Sequence, residues 1–354
     1  MLSITPVALA KTRQSHLVDF IYEHQEVNES FGVSPQDTAN AIEILGDFNA
    51  YTVEILFEET KSVDKAALEV YLVDEIQAMF DTGEIDIYTI YYFLETLKTL
   101  GSLETSLEAN SDLHDDLYTY INETVQIGGG FSPTNTSNNA NMVSTYYIYN
   151  IFTIIGETVG NQTLHKSWIL SCNNTDGGYG GNQTLSSTLL TTYFAVYLIS
   201  KLGTINELAN QINTLNYFKS LYIGDSNNLE HYGGYLPDLY AEFPLLSSTL
   251  FCVEGIGLID DNELDGEITS KWVLRHQSFL DGGFSDWVEG TDQRFSSIST
   301  SYYAFKILQF FGSLGLLDEE IFMVEPSFLT LIIVLSVIGV IILVIYLIWR
   351  RRRI

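Results

Sequence analysis

Glycines recur along this chain at a spacing that few folds can use. Gly46, Gly101, Gly156, Gly203, Gly257 and Gly312 are separated by 55, 55, 47, 54 and 55 residues. Most close an apolar run of helical period, the place where glycine caps a helix. Between them falls a second mark: Gly128-Gly129-Gly130-Phe131, Gly177-Gly178-Tyr179, Gly233-Gly234-Tyr235 and Gly282-Gly283-Phe284. Paired glycines give a turn backbone angles closed to other residues, and the ring can anchor the turn on neighbouring helices. Phe31-Gly32 is a degenerate copy, and Gly83 is read as another. Each repeat therefore predicts helix, glycine turn, loop, helix, glycine stop, and six units predict twelve helices.

The members of each pair differ. The upstream segments, at 16–25, 65–80, 112–125, 164–172, 208–222 and 268–278, keep a polar face for solvent. Downstream segments such as 142–155, 189–202 and 297–311 are apolar around most of their circumference, which predicts enclosure. Two concentric layers suit that contrast. Units of this length, each needing neighbours to complete a core, stack into an open solenoid or close into a ring, and the period does not choose between them.

Composition removes several functions. The 354 residues are 46% hydrophobic, ample for a core. Sixteen Lys and Arg against 45 Asp and Glu give a net charge of −29, which repels nucleic acid. Two cysteines, Cys172 and Cys252, allow one bridge and no disulfide framework.

Residues 328–349 form a run of 22 without a charge, about 33 Å as a helix and long enough to span a bilayer. Arg350 to Arg353 follow it, while Asp318, Glu319, Glu320 and Glu325 precede it. The positive-inside rule then puts the tail in the cytoplasm and the preceding chain outside a cell membrane, single-pass. Residues 1–15 read as an atypical or truncated signal, with Ala8-Leu9-Ala10 as the cleavage-like site. Six Asn-x-Ser/Thr sequons, at Asn28, Asn122, Asn135, Asn161, Asn173 and Asn182, accord with export. A cytosolic domain on a tail anchor is the second reading.

Residues 169–181, Ile-Leu-Ser-Cys-Asn-Asn-Thr-Asp-Gly-Gly-Tyr-Gly-Gly, are followed by Thr192-Tyr193-Phe194-Ala195-Val196. Trp272 to Gln277, Asp281-Gly282-Gly283-Phe284 and Thr300 to Ala304 repeat the arrangement. This pattern resembles the repeat of the prenyltransferase and squalene-cyclase families, strongly in the last four units and weakly in the first two. The resemblance implies an all-α fold, an α/α toroid at 16–317 with an inner helical ring around a central cavity. An acidic juxtamembrane linker (318–327), the span (328–349) and a basic tail (350–354) complete the predicted organisation.

The family's catalytic groups do not carry over. Prenyltransferases hold zinc through an Asp-x-Cys pair and a later His, whereas Leu170 and Leu250 stand two places before Cys172 and Cys252. Leu246 and Ser248, or Phe295 and Ser297, fill the equivalent inner-helix positions, and 299–305 has no His. No zinc or other cofactor is expected. The Asp-x-Asp-Asp acid of the cyclases is missing, since Asp112-Leu113-His114-Asp115-Asp116 has the wrong spacing. Cys252-Val253-Glu254-Gly255 likewise lacks the thioester motif of complement-like toroids.

Two other groups of residues stand out. Asp281, Asp286, Trp287, Glu289, Asp292 and Arg294 crowd the last turn and could form a polar recognition loop or an oxygen-ligand calcium site, with a solvated acidic loop as the simpler reading. Tyr146, Tyr147, Tyr149, Tyr193, Tyr197, Tyr302 and Tyr303 lie on the predicted inner helices, where one helical stripe can line a cavity and the others pack between layers. The expected function is binding of an apolar or extended small molecule or peptide, or of a protein partner, without prenyl transfer. A divergent enzyme acting on an isoprenoid or lipid is the alternative, and glycoside hydrolysis a weaker one.

Overall fold

A computed structural model describes residues 11–53, 60–286 and 296–321. Among these the repeat becomes thirteen α-helices: α1 (Arg13–Glu23), α2 (Pro35–Asp47), α3 (Lys65–Thr82), α4 (Ile87–Leu100), α5 (Leu103–Ala109), α6 (Ser111–Glu123), α7 (Met142–Ile154), α8 (Gln162–Ser171), α9 (Leu189–Leu202), α10 (Gln211–Lys219), α11 (Leu246–Asp260), α12 (Gly266–Leu274) and α13 (Ile298–Phe310). Helices α2, α4, α7, α9, α11 and α13 touch one another in that order, and α13 returns to pack against α2. The inner layer is thus a closed ring, which decides between solenoid and toroid. The other helices lie outside it, α3 on α4, α8 on α9, α10 on α11 and α12 on α13. The thirteenth helix arises because one outer position is split at Asn110, which ends α5 and precedes α6 with φ −125° and ψ 61°. The sequence reading saw only its second half.

The aromatic turn is the same knot tied five times. Ser34, Asn141, Thr188 and Ser297 cap inner helices by accepting the N–H three residues on. One turn further in, a hydroxyl accepts the N–H of the turn's aromatic residue: Thr38 from Phe31, Thr145 from Phe131, Thr192 from Tyr179, Thr249 from Tyr235 and Ser301 from Phe284, all at 2.9–3.0 Å. All five rings are buried, so these N–H groups have no water to turn to and need the hydroxyl.

The glycine pairs set the spacing between units. A Cβ on Gly129 would lie 2.6 Å from the Leu164 carbonyl oxygen, and one on Gly130 2.8 Å from the Trp168 ring. Gly177 and Gly178 meet Asn213 and Tyr217 in the same way, and Gly233 and Gly234 meet Ile268 and Trp272. Each pair therefore sits on two residues one helical turn apart on the next outer helix. The last pair, Gly282 and Gly283, meets His16 and Phe20 of α1, so the last turn docks on the first helix as the Gly129-Gly130 turn docks on α8. Gly178, Gly234 and Gly283 are outside the left-handed region, which shows that close approach, more than backbone angle, requires them.

The other glycines divide. Gly101, Gly156 and Gly312 lie just past helix ends with φ of 79°, 77° and 63°. Gly46 and Gly257 do not stop helices as expected but lie within α2 and α11, and Gly257 leaves room for the Phe310 ring of α13. Gly83 caps α3 and is no copy of the turn. The ends of the described chain meet where Lys11–Thr12 pairs antiparallel with Glu320–Ile321, beside an Arg13–Glu319 ion pair at 3.1 Å. Among the described residues no helix is long and apolar enough to cross a membrane. The predicted span at 328–349 and the basic tail lie outside the described residues, as do residues 1–10.

Candidate functional site

Counting from the knot's hydroxyl puts the inner helices in one register. One and two residues on stand Ala39 and Asn40, Tyr146 and Tyr147, Tyr193 and Phe194, Leu250 and Phe251, Tyr302 and Tyr303. Five residues on stand Glu43, Asn150, Tyr197, Glu254 and Lys306. On α4, which has no glycine turn before it, Ile90 replaces the hydroxyl and Tyr91, Tyr92 and Glu95 follow at the same offsets.

The first offset makes an aromatic belt. Tyr88 and Tyr91 of α4 meet Tyr147 of α7 at centroid distances of 5.5 and 5.1 Å. Tyr146 stacks on Phe194 of α9 at 3.9 Å, Tyr193 on Phe251 of α11 at 5.2 Å, and Phe251 meets Tyr303 of α13 at 6.2 Å. Tyr91, Tyr146 and Tyr302 are deep enough for burial to push their phenols well above the usual range, yet each residue keeps some accessible surface. The belt is interrupted at α2 alone, where Asn40 is buried with its Nδ2 unpartnered.

The second offset makes a polar ring one turn along the axis. Tyr302 donates to Glu43 at 2.8 Å, and Lys306 donates to the same carboxylate at 2.9 Å. Tyr193 donates to Glu254 at 2.5 Å and Tyr197 to Asn150 at 2.9 Å. Burial pushes the Glu254 carboxyl up, against the smaller opposing pulls of the Tyr193 hydrogen bond and of Lys306. At the opposite end of the belt Tyr88 donates to Gln36 at 2.6 Å, and Gln36 donates to the Tyr303 hydroxyl at 3.1 Å.

Six of the seven tyrosines singled out from the sequence, Tyr146, Tyr147, Tyr193, Tyr197, Tyr302 and Tyr303, stand on this register, whereas the seventh, Tyr149, packs into the core between layers. Gln36, Asn40, Glu43, Tyr88, Tyr91, Tyr92, Glu95, Glu254 and Lys306 were missed. Their signal was the stripe Tyr88, Tyr91, Tyr92 and Glu95 at helical spacing. Of the polar loop, Asp286 accepts the first N–H of α11, Leu246 N, at 2.7 Å, and burial pushes its carboxyl up. Asp281 ties its own turn through Gly283 N and Ser296. Trp287, Glu289, Asp292 and Arg294 lie outside the described residues.

A zinc ion does not fit at either cysteine. Cys172 and Cys252 are free and buried, burial pushes the Cys172 thiol up to about 12 and Cys252 well above the usual thiol range, and a cysteine binds zinc as its thiolate. Among the described residues no three His, Cys, Asp or Glu side chains gather to hold a metal. His165 is structural, accepting Gly130 N at 3.0 Å and stacking on Phe131 at 4.5 Å.

The family model for the prenyltransferase alpha-alpha toroid domain matches residues 1–140, 71–166, 135–286 and 229–324. The chain belongs to that family. The toroid is similar in fold to Candida albicans protein geranylgeranyltransferase-I complexed with GGPP, at 15% identity and a TM-score of 0.54, over 90% of each chain. It is also similar to the type II terpene cyclase MstE from Scytonema, at 12% identity and a TM-score of 0.50, over 86% of this chain and 98% of that one. No curated protein matches the toroid sequence.

Proposed function

We propose that the toroid binds an elongated apolar molecule, isoprenoid in kind, along its axis and transfers no prenyl group. The belt running from α4 to α13 carries this reading: aromatic residues such as Tyr91, Tyr146, Phe251 and Tyr303, which keep some accessible surface deep inside the ring of helices, are an apolar wall awaiting an apolar guest. The absence of an Asp-x-Cys pair from the sequence argues against zinc-dependent transfer, and the GGPP in one relative's name supports the ligand class. Farnesol titrated into the purified protein tests it. Tyr146→Ala and Tyr193→Ala are expected to weaken binding at least tenfold, about 1.4 kcal/mol, with Tyr149→Ala unchanged. Equal affinity in all three folded variants would take the belt out of the site.

Glu254 favours a second reading, that of a cyclase-like enzyme. A carboxyl that burial among rings shifts toward its protonated form can give its proton to an alkene, and ring faces then steady the resulting cation. Cyclised products from geranylgeraniol, lost in Glu254→Gln, are expected on that reading; their absence leaves binding alone.

We also propose that residues 328–349 anchor the chain in a cell membrane, with the repeats outside and the arginines inside. The uncharged run and the exposed sequons Asn28, Asn122, Asn135 and Asn161 support it. Enzymatic deglycosylation of the natural protein should lower its apparent mass; an unchanged mass would favour the tail-anchored arrangement.

A further inference from the structure

The six sequons look alike in the sequence, but the fold holds their asparagines in different ways. In two of them the side-chain oxygen is occupied by the residue two places on. Asn28 Oδ1 accepts Ser30 N at 3.3 Å and the Ser30 hydroxyl at 2.7 Å, and Asn182 Oδ1 accepts the Thr184 N–H and hydroxyl, both at 2.9 Å. A planar amide whose oxygen is turned onto its own chain in this way directs its nitrogen outward. Asn28 is exposed, and Asn182 is half-buried beside exposed Gln183 and Thr184. Asn28 shares one amide hydrogen with the Tyr71 hydroxyl and keeps the other, while both hydrogens of Asn182 are free of partners among the described residues. Asn173 is the opposite case. Its Nδ2 donates to the Gly177 and Gly178 carbonyl oxygens at 3.4 and 3.2 Å, so the amide ties the glycine turn from within. Gln277 does the same in the last turn, giving its Nε2 to the Gly282 oxygen at 3.0 Å.

We infer that Asn28 and Asn182 carry N-linked oligosaccharides in the natural protein and that Asn173 does not. The inference rests on the exported arrangement proposed above and assigns its modification sites. In the reaction Nδ2 loses one proton and bonds to C1 of a sugar delivered on a lipid phosphate, and the C1–O bond breaks with its electron pair leaving on that phosphate. A sugar on Asn28 or Asn182 leaves every bond to Oδ1 in place and extends into water, so folding tolerates it. A sugar on Asn173 would take a hydrogen that the turn's carbonyls use and press a bulky polar group onto buried Gly177 and Gly178. Molecules modified there do not complete the turn. Asn28 lies in the turn that enters α2, and Asn182 in the loop that enters α9, where the Gly181 oxygen also accepts Met142 N of α7. Both sugars therefore stand at the end of the ring where the inner helices begin.

Mass mapping of peptides from the natural protein, cleaved so that Asn173 and Asn182 fall on separate fragments, reads each site. A sugar mass is expected on the Asn28 and Asn182 fragments at least tenfold more often than on the Asn173 fragment. Asn28→Gln and Asn182→Gln should each remove one step of apparent mass on a gel, whereas Asn173→Gln should remove none. Sugar on Asn173 as often as on Asn182, or bare Asn28 and Asn182 beside modified sequons elsewhere, would overturn the assignment and leave export standing. No sugar at any sequon would overturn the assignment and the exported arrangement together. The mapping is made on the wild-type chain, so it decides the matter even if a variant does not fold.

Discussion

The arc from α7 to α9 and the seam from α13 to α2 occupy equivalent places in the inner ring, yet they are joined by different chemistry. The arc is held mainly by stacked rings, Tyr146 on Phe194 above all, with a polar link from Tyr197 to Asn150. The seam is held by polar links: Lys306 and Tyr302 to Glu43, Gln36 to Tyr303, Ser299 to Asp37 at 2.8 Å and Gln309 to Asp47 at 2.5 Å. Neighbouring inner helices such as α7 and α9 are tethered through the single outer helix between them, so undirected apolar packing suffices. Helices about 260 residues apart have no such tether. Directional bonds select one register where apolar faces would tolerate several. The ring closes by specificity at the seam and draws its stability from the arc.

That division predicts unequal costs. Phe194→Ala opens a cavity beside Tyr146 in a residue 4% exposed, and about 3–5 kcal/mol of stability should be lost. Lys306→Met removes an ion pair whose partners keep 22% and 32% of their side-chain surface, so about 1 kcal/mol or less is expected. Chemical denaturation of both variants measures the gap, and a Lys306 variant as damaged as the Phe194 variant would refute the division of labour. Glycines sharpen the comparison next. A Cβ at Gly283 would press within 2.8 Å of the Phe20 ring and 2.6 Å of Ser296 Cβ, so Gly283→Ala should cost about 1–3 kcal/mol through overpacking at the closing turn. Gly312, with φ 63° and nothing within 4 Å of the added carbon, carries only backbone strain, and Gly312→Ala should cost about 1 kcal/mol. Equal losses would mean that close approach does not fix the repeat.

These contrasts explain what could be read from the chain. Twelve helical positions and the four glycine turns were legible because both are local patterns with a fixed period. The knot's hydroxyls escaped notice, since Thr192 or Thr249 differs from any other threonine only by the distant N–H it meets. Unit two was least legible because α4 follows a simple cap at Gly83 without a paired-glycine mark, so Tyr91 and Tyr92 had no reference point. Glu43, Glu95 and Glu254 were hidden by composition: in a chain with 45 acidic residues, sequence does not distinguish a carboxylate facing the axis from one facing water. The split at Asn110 was also illegible, because asparagine within a polar outer helix is no firm stop.

The smallest effect probes the polar ring directly. Burial raises the Glu254 carboxyl in the folded protein, whereas the unfolded chain titrates near its ordinary value of about 4.3. Below that value both states hold the proton and the group costs nothing. As pH rises above it, the unfolded state releases its proton first, so stability falls until the folded carboxyl also ionises. Glu254→Gln keeps a neutral side chain of the same shape, and its melting temperature relative to wild type should therefore climb as pH rises from about 4 toward neutrality. A constant difference across that range would mean that Glu254 is not desolvated. Tyr193→Phe works in the opposite direction: losing the 2.5 Å hydrogen bond removes the main pull that lowers the carboxyl, so this variant should lose stability more steeply than wild type over the same interval. The opposed slopes, at two residues in contact, tie the effect to this one carboxyl, since every other titrating group is common to all three proteins.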